Sequence, residues 1–228
     1  MNVFGSFTFG SLIKILVPGC IWVLAAVICD STFAKAVAGE AIVPTFWKDN
    51  PQTVIAISVL AALFFGLISN IIAFMGLNDS LVRDPVKRSK PDLFRLYEHI
   101  RTCVREKYWP NLKTENANIR HQFMTHADPE AMILPSIDIS KIVNIREQYW
   151  NYMEFQINLA LSFFVLCLAW VWHLYETSSS TLTFTGSVAI IAFGYFVLTA
   201  CLFICPARRN YERHIVKICG LMSGALDS

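Results

Sequence analysis

Charged side chains are scarce in this sequence of 228 residues, and four long stretches have none at all. Asp, Glu, Lys and Arg make up 16% of the chain, whereas hydrophobic residues make up 55%. A soluble globular protein usually carries about 25% charged residues. The charge-free stretches are residues 15–29, 53–77, 155–175 and 184–206. This shortage of charge excludes an ordinary soluble domain and is typical of segments that contact lipid.

The lengths of the four stretches decide how they meet a bilayer. A helix needs about 20 apolar residues to cross a hydrocarbon core of about 30 Å, and the last three stretches satisfy this. The first contains Pro18 and is long enough only if residues 11–14 are included, with Lys14 extending to the headgroups. We therefore predict an all-α integral membrane protein with four transmembrane helices.

Sequence patterns that carry catalysis or metal binding are also missing. No hydrolase, zinc-protease, phosphate-loop or dinucleotide-binding motif occurs, and none of the four stretches contains Asp or Glu. The seven cysteines show no metal-ligand spacing, and their odd number argues against a disulfide framework. His121, His126, Asp128 and Glu130 form one loose cluster, which we interpret as surface residues. The sequence predicts no enzymatic activity, no metal and no cofactor.

Basic residues indicate the orientation in the membrane. Twelve Lys and Arg, against eleven Asp and Glu, lie between residues 78 and 154, and four more basic residues lie in the tail after Pro206. The loop at 30–52 has only Lys35 and Lys48. Because cytoplasmic loops are enriched in Lys and Arg, both termini and the central segment are expected in the cytoplasm, an N-in/C-in topology at a bacterial inner membrane.

This topology predicts four regions. They are a first helix pair with an external loop (1–77), a cytoplasmic helical domain inserted between spans two and three (78–154), a second helix pair (155–206) and a cytoplasmic amphipathic tail (207–228). The basic amphipathic pattern of the tail suggests that it lies along the inner leaflet.

The central segment has the pattern of an amphipathic helix. Pro91 and Asp92 favour a helix start, and Pro110 ends the run. Its apolar residues recur at helical spacing and form either the core of the domain or a docking surface for a partner. They are Leu93, Leu96, Tyr97, Ile100, Cys103, Val104 and Tyr108. From Asp138 onward no helix breaker occurs, which predicts one continuous helix into the third stretch.

Small and polar residues on the second stretch suggest close helix contacts. Ala62, Gly66 and Asn70 are four residues apart and therefore share one helix face. Small residues allow helices to approach, and Asn forms hydrogen bonds between helices. The face is either a packing seam or the lining of a pore in a homo-oligomer.

Basic residues after the second stretch are candidates for anion binding. They attract lipid headgroups or, if brought together in an oligomer, the phosphates of a nucleotide-type ligand. They are Arg83, Lys87, Arg88, Lys90, Arg95, Arg101 and Arg105.

The layout resembles small four-span bacterial membrane proteins of anti-phage defence systems such as Kiwa and Hailong. The shared features are the number of spans, the N-in/C-in orientation, the charged helical insert and an opening similar to residues 11–19, SLIKILVPG. The resemblance implies antiviral defence. Two functions are compatible with it: a gated pore or membrane-disrupting effector controlled from the cytoplasmic domain, and a membrane sensor or anchor that recruits a soluble effector protein.

Overall fold

The computed structural model describes residues 9–38, 50–108, 129–133, 139–177 and 181–227, and helices account for nearly all of these residues. The predicted all-α fold class is confirmed. The α-helices are α1 (Phe9–Ala38), α2 (Pro51–Ile72), α3 (Asp84–Ser89), α4 (Pro91–Tyr108), α5 (Pro129–Met132), α6 (Ile139–Ile145), α7 (Asn151–Thr177), α8 (Thr181–Leu198) and α9 (Cys205–Asp227). Short π-helical segments lie at Ala73–Leu77, Asp79–Arg83, Arg146–Trp150 and Thr199–Ile204.

Four helical runs within the described residues are long and apolar enough to cross a membrane. They are Leu12–Cys29, Pro51–Leu77, Ser140–Glu176 and Phe184–Asp227. The last two runs have 37 and 44 residues, whereas a helix needs about 20 residues to span a bilayer. The charge-free part of the fourth run ends at Pro206, because Arg208 and Arg209 follow. The four predicted spans are therefore all present as helices.

The described backbone also contains the predicted helices outside the charge-free stretches. The helix expected from Pro91 extends from Pro91 to Tyr108, and helical structure continues without a break from Ile139 to Thr177. The loose cluster of His121, His126 and Asp128 lies outside the described residues, as does the side chain of Glu130.

The chain divides into two compact units. The membrane unit comprises Met1–Leu81 and Met153–Ala207, and the helical unit comprises Val82–Tyr152 and Arg208–Ser228. All four charge-free stretches belong to the membrane unit. The helical unit combines the central segment with the C-terminal tail.

In the membrane unit, α1 and α2 approach until backbone meets backbone. A Cβ atom on Gly19 of α1 would overlap the carbonyl oxygen of Ala62, and one on Gly66 of α2 would overlap the carbonyl oxygen of Ile15. Glycine is required at both positions because no side chain fits. This is the small-residue packing by which membrane helices associate without a hydrophobic driving force.

The second helix pair is joined by aromatic contacts. The hydroxyl of Tyr195 on α8 donates a hydrogen bond of 3.1 Å to the carbonyl oxygen of Ala160 on α7. Phe163 stacks on Phe203 with a centroid distance of 5.5 Å. Aromatic pairs at this distance contribute about 0.5–1.5 kcal/mol beyond their buried area.

In the helical unit, the apolar faces of α4 and α9 provide the core. Phe94, Ile100 and Val104 of α4 are buried. The buried apolar residues of α9 that belong to the same unit are Tyr211, Ile215, Ile218, Cys219, Met222 and Ala225. Of the predicted stripe, Ile100 and Val104 are thus core, whereas Leu96 is 51% exposed; the third buried residue, Phe94, was not part of the predicted stripe.

Polar contacts at the ends of α9 fix its alignment with α4. The ammonium of Lys107 on α4 donates hydrogen bonds of 2.9 and 3.0 Å to the carbonyl oxygens of Ala225 and Leu226. These carbonyls lie at the end of a helix, where a cation is favourable because it satisfies them and opposes the helix dipole. At the other end of the two helices, Phe94 contacts Tyr211 with a centroid distance of 6.1 Å.

The contact between α1 and α2 predicts the effect of a single substitution. Gly66→Leu should force the two backbones apart and lower stability by about 3 kcal/mol, the upper range for overpacking. Gly194→Leu makes the same chemical change on α8, where an added Cβ meets nothing within 4 Å. Thermal unfolding in detergent should show a large fall in Tm for Gly66→Leu and little change for Gly194→Leu. Equal effects would contradict the close approach.

Candidate functional site

Three polar residues on α7 form the most polar feature of the membrane unit. Glu154, Asn158 and Ser162 are four residues apart, so they lie on one face of the helix. Asn158 and Ser162 are fully buried, and Glu154 is 8% exposed. A polar side chain buried in hydrocarbon without a partner costs free energy, so these three side chains need partners within the protein.

Each of the three has a partner on α1 or α2. The ammonium of Lys14 forms an ion pair with the carboxylate of Glu154. Asn158 Nδ2 donates a hydrogen bond of 2.9 Å to Asn70 Oδ1, and Trp22 Nε1 donates one of 3.1 Å to Ser162 Oγ. We call these three pairs the polar ladder. It connects α7 to both helices of the first pair.

The polar ladder was only partly foreseen from the sequence. Lys14 was expected to extend to the headgroups, but in the structure it pairs with Glu154, and the side chains are only 14% and 11% exposed. Nothing in the sequence around Trp22 indicated that its indole N–H forms a hydrogen bond with Ser162. The usable signal was the spacing of four between Glu154, Asn158 and Ser162.

The predicted pore-lining residues lie beside this ladder. Ala62 and Gly66 are buried where α2 meets α1, and Asn70 is half-buried and accepts the hydrogen bond from Asn158. All three therefore have contacts within one subunit, as the packing-seam alternative requires. That they line a pore in an oligomer stays a prediction.

Two polar atoms near the ladder have no hydrogen-bond partner among the described residues. They are Ser69 Oγ and Asn158 Oδ1, and both residues are fully buried. An unsatisfied buried acceptor or hydroxyl costs about 1–3 kcal/mol. A water molecule between the helices would satisfy either atom.

Four of the seven basic candidates of the helical unit contact other side chains of that unit. Arg83 Nε donates a hydrogen bond of 3.4 Å to the Tyr211 hydroxyl, and Lys90 pairs with Glu212 at 3.5 Å. Both contacts tie the beginning of the unit to α9. These two side chains are therefore already engaged by the protein.

The remaining basic candidates lie on α3 and α4. Arg95 and Arg101 pair with the acidic residues three positions earlier, at 3.5 and 3.2 Å. Arg101 also lies over the ring of Tyr97, 5.1 Å from its centroid. Lys87 and Arg88 are exposed, and Arg105 is half-buried. A shared anion site among the seven residues stays a prediction.

An aromatic cluster in the helical unit holds a buried histidine. The ring of His214 lies 5.3 Å from that of Trp150, which also contacts Tyr211 at 6.2 Å. Burial, and secondarily the charge of Arg146, lower the pKa of His214 to about 4. The imidazole is therefore neutral near pH 7 and contributes to the core as an aromatic ring.

Among the described residues, no group of three or more His, Cys, Asp or Glu is arranged to hold a metal ion. The ionisable side chains of the membrane unit that meet, Lys14 and Glu154, neutralise each other. This ion pair joins α1 to α7.

No protein-family model, curated protein or solved structure matches this chain. The resemblance to anti-phage membrane proteins therefore stays a prediction drawn from the layout of the sequence.

The ion pair of the polar ladder predicts strong coupling between two substitutions. Lys14→Met or Glu154→Met alone should lower stability by about 3 kcal/mol, because each leaves a charge buried without its partner. The double variant should lose much less than the sum. Free energies of unfolding for the four chains complete the cycle. The exposed pair of Asp92 and Arg95 is the matched control and should show coupling below about 1 kcal/mol. Additive losses at Lys14 and Glu154 would reject the pair.

Proposed function

We propose that this chain is a four-span membrane anchor whose helical unit recruits a soluble partner. The observation that carries the proposal is the polar ladder, because it uses the polar side chains of the spans inside one subunit. The three pairs join six polar side chains of α1, α2 and α7 to one another, as a bundle surrounded by lipid requires.

The surface of the membrane unit supports an anchoring role. The side chains that it exposes most are large and apolar, as a lipid-facing surface requires. Those on α2, the π-helical segment after it and α8 that are more than 60% exposed are Ile55, Leu60, Phe64, Phe74, Met75, Ile190, Phe193 and Phe196. A water-filled pore would need a polar wall, and this surface offers none at these positions.

The helical unit supports a recruiting role. Both α4 and α9 contribute buried apolar residues, among them Phe94, Val104 and Ile218, so the unit has a core of its own. Its exposed surface carries Lys87, Arg88, Arg209, Arg213 and Lys217. The proposed placement in the cytoplasm follows from the distribution of basic residues.

The proposed setting is a bacterial inner membrane and an antiviral defence system. Its support is the resemblance described above, which implies a membrane component that works with a cytosolic partner or signal. In that setting the recruited protein is a soluble effector.

A gated pore in a homo-oligomer is the second candidate. The observation in its favour is the pair of unsatisfied buried atoms, Ser69 Oγ and Asn158 Oδ1. A hydrated path along the polar ladder would satisfy both, and opening of the ladder by the helical unit would gate it.

Ion flux through liposomes distinguishes the two functions. The full chain, reconstituted and checked for oligomeric size, should leave the liposomes as tight as protein-free ones if it is an anchor. A pore should instead conduct, and the double variant Asn70→Leu with Asn158→Leu should silence it, because the substitutions remove the polar lining together.

The matched control for that measurement is Phe64→Leu with Phe74→Leu, which changes two lipid-exposed residues of the same unit. Reproducible flux that the Asn variant loses and the Phe variant keeps would overturn the anchor proposal. Flux must be measured both with purified protein and after addition of bacterial lysate, so that a closed gate is tested.

A further inference from the structure

The C-terminal helix α9 has one face that the protein does not cover. Its exposed residues from Arg209 to Gly224 are Arg209, Arg213, Val216, Lys217, Gly220, Ser223 and Gly224, and one exposed acid, Asp227, follows in the last turn. At about 100° per residue the positions from Arg209 to Gly224 fall within one sector of the helix about 120° wide, opposite the buried residues. We call this sector the basic face. With a rise of about 1.5 Å per residue it is about 22 Å long, or four helical turns.

The first half of the basic face is a row of unpaired cations. Arg209, Arg213 and Lys217 are four residues apart, and within the described part of the chain none of them has an acidic partner. The neighbouring acid on α9, Glu212, is engaged by Lys90. A shallow depression of 230 Å³ is lined by these three residues together with Glu212 and Val216. The row therefore presents three positive charges at steps of about 6 Å, and the one acid beside them is paired with Lys90.

The second half of the basic face contains two glycines, which leave the helix backbone uncovered by side chains. A Cβ atom on Gly220 or on Gly224 would meet nothing within 4 Å. The two glycines are four residues apart, the spacing that lets a second helix bring its backbone close. A folded helix gains nothing from exposed glycines, since each costs about 1 kcal/mol relative to Ala. Their position beside the cations points to a partner of helical shape.

We infer that the basic face is the docking surface for an acidic helix of the recruited protein. Carboxylates spaced four residues apart on that helix would meet Arg209, Arg213 and Lys217, and its backbone would pass over Gly220 and Gly224. The inference rests on the proposed recruiting function and names the chemistry of its partner.

An anionic bilayer is the weaker alternative for this surface. A helix that binds a membrane surface inserts its apolar face, but the apolar face of α9 is buried within the helical unit. The exposed side chains that remain are three cations, one apolar residue, Val216, and two polar residues, Ser223 and Asp227. Headgroup attraction gives about 1 kcal/mol for each cation and assigns no role to the two glycines.

Peptide binding to the full chain tests the inference. The chain is held in nanodiscs of neutral phosphatidylcholine, and the probe is a labelled alanine-based helical peptide with Glu at every fourth position. A second peptide has Gln at those positions. Fluorescence anisotropy should show that the Glu peptide binds about tenfold more tightly, with an affinity that falls as salt is added.

Two pairs of variants locate the site. Arg209→Glu with Arg213→Glu should abolish the preference for the Glu peptide. Lys87→Glu with Arg88→Glu makes the same change of charge at exposed positions of the same unit and should leave the preference intact. Gly220→Leu with Gly224→Leu should weaken binding about tenfold, while Tm is preserved because the added side chains point into open space.

Three results would overturn the inference. They are equal binding of the Glu and Gln peptides, equal loss in the two charge variants, and binding of phosphatidylglycerol nanodiscs through Arg209 and Arg213 with no binding of the Glu peptide. The anchor function is tested separately by ion flux in liposomes. If the chain binds the Glu peptide and also conducts ions, the docking surface is supported and the anchor function is rejected.

Discussion

Polar groups inside a bilayer must find their partners within the protein, and this constraint governs the membrane unit. Glu154, Asn158 and Ser162 of α7 cannot be left to lipid, so they hold α1 and α2 through Lys14, Asn70 and Trp22. The contact of α1 with α2 at Gly19 and Gly66 brings their backbones together beside these pairs. The outward surface is then free to be apolar.

The same separation of buried from exposed surfaces governs the helical unit. Tyr211 meets Arg83, Phe94 and Trp150 from the buried side of α9, while the exposed cations of that helix lie on its opposite side. The unit thus closes its own core and still offers a charged helix face. A protein that anchors with one unit and recruits with the other needs both features.

Sequence patterns predicted the helices well because lipid and helix geometry act on composition directly. The absence of charge between residues 53 and 77 is enough to place a span, and Pro91 with Pro110 brackets α4. Pairing was not predictable in the same way. From the sequence alone, Lys14 could pair either with lipid headgroups or with a carboxylate distant in the chain. The packing of α1 against α7 places it beside Glu154. Likewise, the apolar face of α9 matches both an inner leaflet and a protein core, and the fold selects the core.

Cross-linking between α2 and α7 shows whether Asn70 and Asn158 pair within one subunit or between two subunits. In a chain whose native cysteines are replaced, Asn70→Cys and Asn158→Cys can be joined by a short thiol-reactive bifunctional reagent in native membranes. We predict a cross-link within one subunit, and the linked chain should migrate as a monomer on a denaturing gel. No cross-link should form when the two cysteines are placed on separate co-expressed chains. Cross-linked dimers from the separate chains, without the internal product, would contradict it and return Asn70 to an interface between subunits.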